Sequence, residues 1–369
     1  MNPQALAGTL TARSGEIPKH RVVTGFDGFV DEMISLVAER KSLERFARVE
    51  HIDQFGDLVK AAAGHSSLRE IVVTQTDPGG CAVNMGDGLA TLGVAVTTFA
   101  TVGQPVHAAF DAYSRIATLH SWGREPGRTL AFEFADGKLM FSSVSHLAEF
   151  TPDYVKQRLA EQDFEKSCRA ADLIAFVDWT LYPHMTACWQ LLAEQVFAKL
   201  EHRPFLFLDL VDPSSRSRAD IEAMLEGLPL LNRHCRTTLG LNQNEANILS
   251  DILSQPHEKR PEMDGAAGQA KALQGALGID EVVIHATRFA VLANEDGTAQ
   301  APGPYCEKPV KSTGAGDRFN AGYALGLVLH LPPEDRLLLG NATSGAYVRS
   351  GTSPSISEVI QLLQNYPQR

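Results

Sequence analysis

The stretch that most constrains this chain is Thr313-Gly314-Ala315-Gly316-Asp317. A strand-like run, residues 305–310, precedes it, and an apolar helical pattern follows at once. Two glycines around an alanine leave backbone N–H groups uncovered where a helix presents unpaired amides and the positive end of its dipole. Such a turn attracts a polyanion, phosphate above all. Asp317 then stands inside the anion site, where a further negative charge is unfavourable unless it does chemistry. A carboxylate beside a bound phosphoryl group is placed to take the proton of an attacking hydroxyl. On this stretch alone a plain helix cap explains Asp317 equally well, since Asp favours helix starts.

Charge and cysteine content narrow the partners. A net charge of −11 argues against a nucleic-acid surface, which needs a basic footprint. A phosphate site here therefore has to be built from local amides, a cation or a metal ion. The cysteines at 81, 168, 188, 235 and 306 are scattered, without a C-x-x-C pair, as expected of reduced thiols in a cytoplasmic protein. No apolar run approaches the roughly 20 residues that span a bilayer, and the N-terminus lacks a signal-peptide pattern. A length of 369 residues suits one large α/β domain or two smaller ones.

In chain order, residues 1–20 read as a polar, irregular arm, ahead of one domain over 21–369. Residues 21–25 form a first strand running into Phe26-Asp27-Gly28-Phe29-Val30-Asp31. Ligands of open α/β sheets bind at the carboxyl edge of the strands, which makes Asp27 and Asp31 candidates for substrate hydroxyls. The alternative for Asp31 is the N-cap of a helix over residues 32–40, and residues 41–70 also read as exposed helices. A second strand, 71–75, leads to Pro78-Gly79-Gly80-Cys81-Ala82-Val83-Asn84 and a helix. The glycine pair admits a ligand close to the backbone and Asn84 offers both a donor and an acceptor, a combination suited to a polyhydroxylated ligand. A loop tightened only for packing is the bland alternative.

Asp136-Gly137 and Asp296-Gly297 are hairpin signals. Between them strands and helices alternate, with polar strand ends at Asp212–Arg216 and Asn242–Glu245 and a short helix, 221–226, closed by Gly227. This alternation predicts a doubly wound, mostly parallel sheet. Any one polar strand end is explained by capping; several at one edge are harder to explain that way.

The motifs Pro78-Gly79-Gly80-x-x-x-Asn84 and Thr313-Gly314-Ala315-Gly316-Asp317-x-Phe319-x-Ala321-Gly322 resemble the two signatures of the ribokinase-like (PfkB) carbohydrate and nucleoside kinases. Asp212-Pro213-Ser214-Ser215-Arg216, Asn242-x-x-Glu245 and the segment from Asn341 to Gly351 resemble further family features, in matching order. The resemblance implies a three-layer α/β/α domain with a small lid, drawn from about 28–80 and 125–145, that moves the γ-phosphoryl of ATP to a hydroxymethyl group. It implies Asp317 as general base and the amides of Gly314, Ala315 and Gly316 as anion hole. Asp31, Asp27, Gly79, Gly80 and Asn84 would hold the substrate, a sugar before a nucleoside. Asn242, Thr313, Arg288, Asn341 and Gly351 would lie on the nucleotide side, with Glu245 organising water-bound Mg²⁺. A homodimer through the lid is a further expectation, as is the absence of nucleic-acid and membrane partners.

Three departures stand out. Lys311-Ser312 replaces the Asp-Thr that the family carries before this turn, and Lys311 is expected to stand in for a monovalent cation. His285-Ala286-Thr287-Arg288 replaces a Thr-x-Gly near the nucleotide. Residues 32–70 look helical where the family often places lid strands. A catalytically degenerate sugar- or nucleotide-binding protein is therefore the alternative reading.

Overall fold

The computed structural model describes residues 2–367. Asn2 caps α1 (Pro3–Arg13), accepting from the Ala5 amide at 3.1 Å, with Pro3 preset in the first turn. Leu6, Ala7 and Leu10 of this helix are buried, so the expected irregular arm is instead a packed helix.

Then come β1 (Arg21–Phe26), β2 (Phe29–Arg40), β3 (Phe46–Arg48), α2 (Ile52–Ala61), β4 (Ile71–Gly79), α3 (Cys81–Thr91) and β5 (Ala95–Ala100). Residues 32–40 are strand, not helix, and of 41–70 only α2 is α-helical. The apolar residues of β2 sit at helical spacing, but β2 pairs antiparallel with β4 and parallel with β7 (Gly127–Phe134). Two sets of ladder bonds outweigh a weak local preference. Also before β7 lies the short β6 (Thr118–Ser121), and after it β8 (Gly137–Ser143) completes a hairpin turned at Asp136-Gly137. β2, β3, β4, β7 and β8 form a small separate sheet, called the lid for the role expected of it. α2 covers one face of it, over Leu36, Val49, Phe132 and Phe134. The strand expected over 71–75 lies in this small sheet, within the stretch of about 28–80 from which a lid was expected.

The chain continues through α4 (Pro152–Leu159), α5 (Asp163–Ala170), β9 (Leu173–Val177), α6 (Met185–Gln195), β10 (Phe205–Asp209), α7 (Arg218–His234) and β11 (Arg236–Asn242). It closes with α8 (Gln243–Ile252), α9 (Met263–Leu277), β12 (Glu281–His285), β13 (Phe289–Asn294), β14 (Gly297–Pro302), α10 (Ala315–Val328), α11 (Pro333–Ser350) and α12 (Ile356–Gln364). α7 runs through Gly227 and Pro229 to His234, longer than the helix expected to stop at Gly227, because its Leu228 and Leu231 are buried. Residues 305–310, read as strand-like, form no strand.

Among the described residues the main sheet has the order β14-β13-β12-β11-β10-β9-β1-β5-β6, parallel from β12 to β6. Alternation along β9 shows the three layers directly. Ile174 and Phe176 pack with α4–α9, whereas Leu173, Ala175 and Val177 face α1, α3, α10, α11 and α12. This is a doubly wound α/β/α architecture. The sheet order reverses direction between β9 and β1, the kind of switch point where such sheets bind ligands. No helix among the described residues is long and apolar enough to cross a membrane.

Candidate active site

Five adjacent strands, β12, β11, β10, β9 and β1, bring their carboxyl ends to one edge, presenting His285, Asn242, Asp209, Asp178 and Asp27. Over this edge runs the loop that leads into α10. Gly314 takes the N-cap position with φ +82°, a left-handed conformation, and a Cβ there would come within 2.8 Å of the Arg318 guanidinium. α10 begins without a side-chain cap. Of its first amides, that of Ala315 donates to the Ser312 carbonyl at 3.1 Å. The Tyr347 hydroxyl donates to the Thr313 carbonyl at 2.7 Å and fastens the loop to α11.

Asp317 lies in the first turn of α10, with its carboxyl near the side chains of Cys81 and Asn84 at the start of α3. Burial pushes this carboxyl up to about 7; Arg318 pulls it down and Asp209 pushes it further up. Arg318 turns away, donating to Asp87 and Ser353, each at 2.9 Å, and stacking over Tyr347 at 4.6 Å. Asp317 is thereby a carboxylate that gains or loses its proton near neutrality.

Asp27 is placed differently from the substrate ligand expected of it. Its two oxygens accept the amide protons of Cys81 and Ala82, at 2.5 and 2.6 Å, so it is bonded to the start of α3. Burial pushes it up to about 7 even against those bonds. Glu245 and Asn242 form a capping box on α8, Asn242 accepting from the Glu245 amide at 3.0 Å and Glu245 from the Asn242 amide at 2.8 Å. Burial, then the nearby Asp209, raises Glu245 to about 8. The cap expected of this pair is present, and it leaves the Glu245 carboxyl buried beside Asp209 at the sheet edge.

Asp209 and Asp178 were not singled out from the sequence. Asp209 accepts from Asn320 at 2.7 Å and from the Val211 amide at 2.9 Å. Asp178, at φ +67°, accepts from the Leu181 amide through Oδ1, while its buried Oδ2 has no hydrogen-bond partner. Burial and then Asp27 push its pKa well up. The Asp212–Arg216 segment proposed instead is structural: Asp212 accepts from the Ser214 amide, and Arg216 stacks on Trp179 at 4.2 Å while donating to the carbonyls of Thr180 and Tyr182. The available signal was positional, since Asp209 and Asp178 lie at the carboxyl ends of apolar strands.

Carboxylates this close resist simultaneous ionisation unless cations join them. The donor set is all hard oxygen, including the orphaned Asp178 Oδ2, and this chemistry fits Mg²⁺. Among the described residues no three such side chains are grouped tightly enough to hold a metal alone. Waters and a phosphate would complete the coordination, as Mg²⁺ commonly requires.

Two cavities flank the Gly314–Asp317 turn. The larger, of about 490 Å³, is lined by Asn242, His285, Ala315, Gly316, Phe319 and Asn341, among others. Asn341 donates to the carbonyls of Ala301 and Pro302 at 3.1 and 3.3 Å. Arg288 and Gly351 are not part of this lining. Arg288 stacks on Tyr305 at 4.2 Å, and Gly351, at φ +80°, closes α11 beside Val310.

The smaller cavity, of about 30 Å³, lies under the lid and is lined by Asp31, Asp77, Asn84, Lys138, Lys311 and Thr313 with neighbouring side chains. Thr313 was expected on the nucleotide side and lines this cavity instead. A Cβ on Gly79 would fall 2.4 Å from an Asp31 carboxylate oxygen, and one on Gly80, at φ +96°, 2.9 Å from the Asp27 carbonyl. Gly80 is therefore required by its backbone conformation and by close backbone approach, whereas a side chain at Gly79 would have to displace the Asp31 carboxylate. Lys311, expected to replace a cation, has Asp77 of the lid as its salt-bridge partner.

The profile of the family described as prokaryotic ketohexokinase matches residues 5–366. The chain belongs to the prokaryotic ketohexokinase family. This family member is 29% identical over 349 residues to the ketohexokinase of Haloferax volcanii, spanning 94% of this chain and 91% of that protein. Its fold is similar to that of a carbohydrate kinase from Agrobacterium tumefaciens (TM-score 0.65, 19% identity, 95% of this chain and 98% of the other). It is likewise similar to ribokinase from Thermotoga maritima (TM-score 0.62, 15% identity, 94% and 99%). The chain is thus a sugar kinase with a ribokinase-like α/β/α fold.

Proposed function

We propose that this sugar kinase transfers the γ-phosphoryl of ATP to a hydroxymethyl group of a ketohexose, with Asp317 as general base. One observation carries this reading. Asp317, with a pKa raised to about 7, stands at an uncapped helix start between a nucleotide-sized cavity and a small polar one. A hydroxymethyl group held beside Asn84 gives its proton to the Asp317 carboxylate as its oxygen bonds to the γ-phosphorus. The bond from that phosphorus to the bridging oxygen breaks, and ADP leaves. The amides that open α10, those of Gly316 and Asp317 with that of Gly314, receive the charge on the transferred group. Glu245, Asp209 and Asp178 would hold Mg²⁺, which supplies charge neutralisation on the phosphates when bound. Lys138 and Lys311 balance Asp31 and Asp77 in the smaller cavity, which favours a neutral polyol over a phosphorylated sugar. The name of the Haloferax volcanii relative supports a ketohexose in particular.

The test is ADP release with ATP and Mg²⁺ over ketoses, aldoses and nucleosides. Turnover with fructose and its loss in Asp317→Asn are the expected results. Preference for a nucleoside would overturn the substrate, and wild-type binding without turnover would favour a degenerate binding protein.

A further inference from the structure

Lys311 Nζ lies 3.6 Å from Asp77 Oδ2. Asp77 belongs to β4 of the lid and Lys311 to the loop that carries the catalytic turn, so this bridge joins lid to loop at the smaller cavity, which both residues line. Each end is held in place. Gln75 donates to Asp77 Oδ1 at 2.6 Å within the lid strand. On the loop side, the Val310 amide donates to the Val348 carbonyl at 2.8 Å and Tyr347 to the Thr313 carbonyl at 2.7 Å, one bond on each side of Lys311. Lys138, the other ammonium of this cavity, contrasts with it: Glu133 at 3.2 Å and the Met33 sulfur at 3.4 Å keep it within the lid.

We propose that Lys311 and Asp77 are positioning residues that latch the lid over the acceptor cavity. The inference rests on reading that cavity as the sugar site. The side chains are 42% and 22% exposed, and an ion pair so exposed to water is weak. A latch has to be weak, because the lid opens for every substrate and product. Sugar under the lid displaces water from the bridge and strengthens it, so closure is favoured when the cavity is filled. Burial raises the Asp31 carboxyl above the ordinary aspartate range, and Lys311 is one of the neighbours that pull it part of the way back, so the bridge and the residue that faces the substrate share a charge.

The test is a double-mutant cycle on the full chain with Lys311→Met, Asp77→Asn and their combination. Sugar saturation kinetics are read together with hydrogen exchange of peptide 71–79. Each single variant should raise the sugar KM about three- to tenfold, with a smaller change in kcat, and the double should be no worse than the poorer single. Lys311→Arg should stay within about twofold of wild type, and added NaCl should raise the wild-type KM but not that of the double variant. Faster exchange of 71–79 in both singles completes the expected pattern. Additive KM effects, or exchange equal to wild type, would overturn the latch and leave Lys311 as a direct substrate contact. If wild type phosphorylates no sugar, the kinase reading has failed, and exchange in the unliganded chain still decides the latch on its own.

Discussion

Asn320 donates a 2.7 Å hydrogen bond to Asp209, 111 residues away in the chain. Asp209 ends β10, and Asn320 sits one turn beyond Asp317 on α10. The bond therefore fixes the helix that carries the proposed base against the sheet edge that carries the other carboxylates. It also brings Asp209 close enough to push the Asp317 pKa upward.

Replacement of that base should remove chemistry and spare binding. Asp317→Asn keeps the shape of the side chain and its neighbours Cys81 and Asn84. Positioned general bases contribute about 10²–10⁴-fold. The expected outcome is a kcat loss in that range with nucleotide and sugar KM within a few-fold, measured by ADP release. A loss below tenfold would remove Asp317 from the mechanism.

The pH profile follows from the same group. Asp317 has to be ionised to accept a proton, and burial raises its pKa to about 7. Below that value the protonated form dominates, so kcat/KM should fall about tenfold per unit as the pH drops, and level off above about 7.5. A profile flat from pH 5.5 to 8 would contradict the assignment.

Stability should run the opposite way. A carboxyl whose folded pKa is raised binds its proton more tightly in the native state. The stability it contributes is full only below the ordinary aspartate value of 3.8 and is lost progressively as the pH rises from there to the folded value of about 7. Asp317→Asn removes this loss. At pH 8 the variant should be more stable by roughly 2–4 kcal/mol, or about 3–5 °C in Tm, with little difference from wild type at pH 4. Differential scanning calorimetry at the two pH values checks this.

Gly79 gives a test confined to the sugar side. A Cβ there would lie 2.4 Å from the Asp31 carboxylate, whose flexible end has to shift to admit it. Gly79→Ala should raise the sugar KM about tenfold and leave the ATP KM close to wild type, since Asp31 lines the smaller cavity and not the larger one. Equal effects on both would argue that the loop itself had been disturbed.

Local chemistry made part of this protein legible from sequence alone. The left-handed Gly314 and the helix after it, the Asn242–Glu245 capping box and the hairpins at Asp136-Gly137 and Asp296-Gly297 each follow from rules that act over a few residues. Alternating strand and helix likewise determined the layered fold. The tertiary structure decided what depended on distant partners. β2 reads as a helix until β4 and β7 offer it ladders on both sides. Asp27 serves α3 because the Cys81 and Ala82 amides reach it first, and Asp178 and Asp209 become site residues only through the sheet order that sets their strand ends side by side. Lys311 finds Asp77 across the chain only when the lid folds over the loop. Propensity, caps and turns act through neighbours in sequence, whereas burial, charge and strand pairing act through neighbours in space.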